Sequence, residues 1–377
     1  MNRLLGLELL RGVAALLVLV EHLPVAVIMV CGPDAAIPSA IDDFPGYWGV
    51  DLFFVLSGYL IGMTLSKPGT TARSFLLARL ARILPLYYVV SAVCLLVPTF
   101  RSHALSLPVA VTTGSLLPLL GDALDPQTAH PYGWTLCFEM AFYLTATALA
   151  AGVGGRRAVP AMIGLFALGP LAFTALGPVA GWGFPNFALS PLAAEFAFGL
   201  LAYRLTDRLP AWAGWAVLGL GVAACVRGVV VGGDYGLPSD LIAGPRLAWS
   251  RVAAWGLPAA ACVLGTARLD RAGTFHRFAR IATPLGAMSY SLYLVQPFAF
   301  VVTAALAKGL GVTRPWAAAA VAVAVTLALG ALVARYLDRP LHDLARGWAK
   351  RLATLEVRTR FGRAPGRMPL SPLRNSR

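Results

Sequence analysis

Ten apolar stretches divide the chain, at 5–30, 48–66, 83–100, 133–153, 158–180, 187–205, 211–232, 247–266, 282–307 and 316–337. Each is close to the ~20 residues that a helix needs to cross a bilayer. Of 377 residues, 58% are hydrophobic and 13% charged, against roughly 25% charged in soluble domains. The stretches lack the two-residue alternation of a membrane barrel, and lipid admits only closed barrels and helices. The pattern predicts an all-α, polytopic transmembrane helical bundle of about ten spans in one domain. Segment 103–120 is apolar but broken by Pro108, Gly114 and Pro118, and reads as re-entrant or superficial, with an eleventh span as the alternative. The N-terminal stretch carries Glu8 and Arg11 with no clean cleavage site, so a retained first span is expected.

The net charge of +14 comes from 31 Lys and Arg against 17 Asp and Glu. In a soluble chain this would suggest nucleic acid. Here the basic residues cluster between spans, at Lys67 to Arg82, Arg156 and Arg157, Arg204 and Arg208, and Arg268 to Arg280. With ten spans and 103–120 left outside, every cluster falls on one side. The positive-inside rule then places both termini in the cytoplasm, and no nucleic-acid partner is expected. Residues 346–377 hold nine basic residues and one acid, Glu356. They are expected to form a disordered cytoplasmic tail against anionic lipid heads, leaving 1–345 as the membrane-embedded domain. The cysteines are scattered without a C-x-x-C pair, so neither a metal site nor a disulfide framework is signalled.

Polar residues inside the spans carry the functional signal, because an intramembrane charge normally faces the bundle interior or a wet cavity. On the first span Arg11 and His22 are eleven residues apart, three turns plus about 20°, so they share a face. Along the axis they differ by roughly 16 Å, which puts Arg11 in one half of the bilayer and His22 in the other. Asp51 near the start of the second span and Glu139 about two turns into the fourth are expected at the depth of His22. Arg79 and Arg82, one turn apart at the entrance of the third, would form a positive inner mouth with Arg11. Structural readings compete: Glu8 and Arg11 are spaced for an ion pair, Asp51 for a helix cap, Arg79 and Arg82 for snorkelling to lipid phosphates.

Five blocks in order resemble the acyltransferase-3 family of integral membrane acyltransferases: "LELLRGVAALLVLVEH", "GVDLFFVLSGYLI", "FLLARLARILPLYY" with its R-x-x-R, "WTLCFEMAFYL" and "LGAMSYSLYLVQPF". The resemblance runs from Gly6 to about Asp343. It implies a multi-pass protein of the bacterial inner membrane that takes acyl groups, usually acetyl, from cytoplasmic acyl-CoA. It implies essential roles for Arg11 and His22, donor binding by Arg79 and Arg82, and a role for Glu139. Acetyl-CoA would be a co-substrate, with no bound cofactor. Two positions depart from the family pattern: Gln296 stands where His is common, and Asp338-Arg339-Pro340 where Glu-x-Pro is frequent.

Together these lines predict transfer of an acyl group to a hydroxyl of an exopolysaccharide, lipid-linked glycan or related glycoside. His22 would be the general base, oriented by Glu139 or Asp51. Arg11, Arg79 and Arg82 would bind the donor, with Ser57 and Tyr59 as supporting hydroxyls. The rival reading is a proton-coupled transporter or flippase of a lipid-linked sugar, with His22, Asp51 and Glu139 as its proton relay.

Overall fold

The computed structural model describes residues 4–100, 103–120, 126–177, 183–232, 240–241 and 244–361, which contain helices and no strand. The first apolar run is two helices, α1 (Leu5–Glu21) and α2 (Leu23–Cys31). Pro24 has no N–H to give the preceding turn, and the chain breaks at His22. The next helices are α3 (Trp48–Leu65), α4 (Ala72–Leu96), the short α5 (Leu107–Ser115), α6 (Gly133–Val153) and α7 (Gly155–Leu176). After them come α8 (Ala194–Leu205), α9 (Ala211–Val231), α10 (Leu257–Arg271), α11 (Ala279–Gly309), α12 (Pro315–Val333) and α13 (Arg339–Phe361). Among the described residues nine helical segments are long and apolar enough to cross a membrane, and the protein is a polytopic helical bundle.

The predicted span at 187–205 is not a continuous helix. A helix at Gly183–Leu189 stops at Ser190, a 3₁₀ turn covers Pro191–Ala193, and α8 has only 12 residues. Residues 190–197 are all buried. Irregular backbone at membrane depth is tolerated where protein encloses it, and α3 and α7 pack against α8. Segment 103–120 does not span: α5 has nine residues and ends at Leu116 in a left-handed conformation. Leu105, Leu107, Leu119 and Leu120 around it are exposed.

Helix α4 begins eleven residues before the apolar run that announced it. Thr71 and Ser74 form a capping box there, with Ser74 N–H donating to Thr71 Oγ1 at 3.1 Å and Thr71 N–H to Ser74 Oγ at 3.0 Å. Arg79 and Arg82 therefore lie well inside a 25-residue helix, not at its entrance. Helix also continues past 346, the residue where disorder was expected. A π turn at Ala334–Asp338 joins α12 to α13, which runs to Phe361 alongside α4; the expected tail at 362–377 lies outside the described residues.

Two contacts fix the helices that carry the site. Asp270 accepts the Gly6 and Leu7 N–H groups at 2.8 and 3.1 Å, so the free amides at the start of α1 meet a carboxylate, as helix termini favour. At the crossing of α3 and α8, Gly58 and Gly199 bring two backbones together. A Cβ on Gly199 would lie 2.0 Å from the Val55 carbonyl oxygen, and one on Gly58 2.2 Å from that of Phe196. Small residues permit such close approach of membrane helices. Gly199→Ala is expected to lower the thermal midpoint in detergent, with a cost of about 1–3 kcal/mol for overpacking. Gly219→Ala, which meets nothing within 4 Å, should leave it unchanged.

Candidate active site

A cavity of about 230 Å³ opens between α1, α3, α4, α6 and α11, with Arg11, Ser57, Arg79, Arg82, Glu139 and Tyr293 in its wall. Glu139 accepts from Ser57 Oγ at 2.7 Å and from the Tyr143 hydroxyl, one turn further along α6. Arg79 donates to Thr64 Oγ1 at 2.8 Å and stands over the rings of Phe75 and Tyr143, 5.6 and 5.9 Å from their centroids. Arg82 Nη1 donates to both oxygens of Asp338, at 2.9 and 3.1 Å, and its guanidinium lies 5.0 Å from the Tyr290 centroid. Arg11 pairs with Glu8 at 3.7 Å, the ion pair that their spacing predicts.

The site thus gathers Arg11, Arg79, Arg82, Ser57 and Glu139 from four helices. A second cavity, of about 650 Å³, lies between α1, α11 and the α12–α13 rod and shares Arg11 and Arg82 with the first. These two guanidinium groups stand at the boundary of both spaces.

His22 lies outside the wall of either cavity. Its backbone N–H turns to Leu19 O at the break after α1, and its Nδ1 takes the Val18 carbonyl at 2.7 Å. A carbonyl only accepts, so Nδ1 carries the proton and Nε2 keeps its lone pair. The ring packs on Tyr132, centroids 4.4 Å apart. Tyr132 in turn meets Tyr293, whose hydroxyl donates to the Tyr132 carbonyl at 3.1 Å and exchanges a 2.8 Å bond with Thr135 Oγ1. Side-chain contacts therefore link the cavity to His22 through Tyr293 and Tyr132.

Neither carboxylate expected to orient His22 does so. Glu139 is bound to Ser57, six residues or about 9 Å further along α3 than Asp51; it belongs with the arginines, and the two acids do not share a depth. Asp51 is 1% exposed and receives the fork of Arg251, Nε at 3.1 Å and Nη2 at 2.8 Å. It neither caps α3 nor faces the cavity. Glu21 takes the capping position, accepting the Tyr47 N–H at 3.1 Å. The supporting role expected of Tyr59 also fails on geometry: two residues from Ser57 on a helix is about 200°. Its ring is buried edge-on to Tyr203, centroids 5.7 Å apart. Among the described residues His22, Asp51 and Glu139 have separate partners and make no hydrogen bond to one another.

Sequence reasoning missed Arg251, Glu195, Asp338, Tyr143 and Tyr293. Glu195 is fully buried and adds a second carboxyl beside the Asp51–Arg251 pair. The Asp-x-Pro departure at Asp338 was a usable signal, since an acid at the end of an apolar span needs a cation. His130, a loop residue by sequence, is wholly buried. Its Nε2 donates to the Leu294 carbonyl at 2.9 Å and its Nδ1 accepts the Tyr132 N–H at 3.2 Å. It is a structural clamp on the loop that carries Tyr132.

These partners lead to two expected outcomes. Arg251→Ala leaves Asp51 buried without its cation, at a cost of about 3–5 kcal/mol, which a detergent thermal scan would register as a large loss of midpoint. Burial holds the His130 imidazole down at about 4, below the ~6.5 of an unfolded chain. The unfolded state therefore binds the proton first. Stability is full above about pH 6.5 and falls as pH drops toward 4; in His130→Gln the midpoint should lose part of that dependence.

Residues 4–335 match the family model described as an acyltransferase domain. Over 324 residues the chain is 29% identical to the exopolysaccharide production protein ExoZ of Rhizobium meliloti (strain 1021), covering 81% of this chain and 92% of that one. No solved structure matches it.

Proposed function

The chain belongs to the acyltransferase-3 family, and we propose that it moves an acetyl group from cytoplasmic acyl-CoA to a sugar hydroxyl of an exopolysaccharide or its lipid-linked precursor. The single observation that carries this reading is the arginine-walled cavity inside a multi-pass bundle: Arg11, Arg79 and Arg82 converge on one space with Glu139. Guanidinium forks suit phosphate oxygens, and the donor carries its phosphates at the end opposite the thioester. The similarity to a protein of exopolysaccharide production supports a carbohydrate acceptor. The basic loops support an inner-membrane protein, and with the broken segment at 183–205 counted as a tenth crossing they put both termini in the cytoplasm.

In this reading the phosphates sit at the arginine end and the thioester arm extends past Glu139 toward Tyr293 and Tyr132. His22 is the general base, its free Nε2 taking the proton of the acceptor hydroxyl as the hydroxyl oxygen attacks the thioester carbonyl. Collapse of the tetrahedral species expels the thiolate, which recovers that proton from His22, leaving an ester and a free thiol. The Val18 carbonyl orients the ring where a carboxylate does so in other His-dependent sites. Glu139, with the Ser57 and Tyr143 hydroxyls, balances the arginine charge and lines the route of the arm.

The reading is tested in proteoliposomes supplied with labelled acetyl-CoA and an oligosaccharide acceptor. His22→Ala should lower transfer by about 10²-fold or more, the scale of a general base, with unchanged insertion and thermal midpoint. Full transfer by that variant overturns the role of His22; no transfer by the wild-type protein overturns the donor.

A further inference from the structure

The second cavity carries surplus positive charge. Its wall holds four guanidinium groups, those of Arg11, Arg82, Arg335 and Arg339, against two carboxyl groups, those of Glu8 and Asp338. Glu8 pairs with Arg11 and Asp338 with Arg82, which leaves Arg335 and Arg339. Neither arginine forms a salt bridge among the described residues; Arg335 rests on the Tyr336 ring, 5.4 Å from its centroid. The surplus cations face the larger space.

Helix geometry makes the arrangement specific. Arg335, Asp338, Arg339 and His342 line the second cavity as one stripe on the α12–α13 rod. The π turn at Ala334–Asp338 sits where this stripe begins. Such a turn inserts an extra residue, which rotates the downstream helix about its axis, and it occurs often at functional positions. Here the rod after the turn aims the stripe at Arg82 and Arg11, and His342 Nδ1 is fixed by donation to the Ala81 carbonyl at 3.1 Å. Small side chains, Ala287, Ala331 and Ala334, keep the rest of the wall low.

We propose that the second cavity binds a phosphate-bearing head group through Arg335 and Arg339, with Arg82 and Arg11 at its inner edge. Its occupant is the nucleotide part of the acyl donor, an identification that rests on the donor reading above. The phosphate chemistry itself rests on the surplus guanidinium groups. The arm of the donor then enters the first cavity between Arg11 and Arg82, the two groups common to both. An anionic lipid head group carries the same phosphate chemistry and is the other source.

Calorimetry on the full chain in neutral phosphatidylcholine nanodiscs tests this with 3′-phosphoadenosine 5′-diphosphate as the probe. Arg335→Ala/Arg339→Ala should weaken binding at least tenfold, and Arg314→Ala, on an exposed arginine outside the cavity, should not change it. A parallel arm measures phosphatidylglycerol retained by each protein by native mass spectrometry. Loss of retained lipid in the double variant, with no nucleotide binding by the wild type, keeps the phosphate site and makes lipid its occupant. Equal nucleotide binding and equal lipid retention by wild type and double variant overturn the proposal. Because the probe has no thioester, failure of acyl transfer is scored separately.

Discussion

A charge inside an apolar bundle must be paired or wetted, and this rule governs the architecture. The desolvation penalty for an isolated ion is several kcal/mol even after relaxation. Two ion pairs near the centre of the fold join distant parts of the sequence: Asp51 with Arg251, and Arg82 with Asp338. These pairs tie α3 to the segment before α10, and α4 to the end of α12. The cavity exists because Arg11, Arg79 and Glu139 are only partly enclosed by such pairing, so that a polar space remains among helices that would otherwise close.

The inner and outer parts of the site are built on different principles. Around Glu139 the side chains bond to one another, hydroxyl to carboxylate and guanidinium to hydroxyl. Around His22 the bonds run to main-chain carbonyls, from His22 to Val18, from Tyr293 to Tyr132 and from His130 to Leu294. A carbonyl in a broken helix is a fixed acceptor. Pro24 therefore does more than interrupt α1: the break turns the His22 amide away from Val18 and leaves that carbonyl to the imidazole.

Fold class and most of the spans were legible because hydropathy and span length are local properties. So was the Glu8–Arg11 pair, which needs only helical spacing. That Arg79, Arg82 and Glu139 face the interior was legible from their charge; that Glu139 joins the arginines and not His22 was not. What failed was depth and partner choice. Asp51 and Glu139 were aligned by counting from the predicted ends of two helices, yet helix ends shift and helices cross at angles. Nothing local announces Arg251, which lies 200 residues from its partner. The break at Ser190 was passed over because hydropathy alone set the span, although Pro191 signals it. The early start of α4 was hidden for the opposite reason: its first turns are too basic to register as membrane helix, although Thr71 and Ser74 signal a cap.

The meeting of Gly58 and Gly199 places the neighbour of Ser57 directly on the main chain of α8. Two peptide backbones in van der Waals contact have no rotamers to exchange and almost no compressible volume between them. The side chains that meet the surrounding lipid lie elsewhere, as on α9, where Trp212, Leu220 and Val230 are exposed. The hydroxyl that meets Glu139 is therefore expected to keep its geometry whether the membrane around it is fluid or stiff.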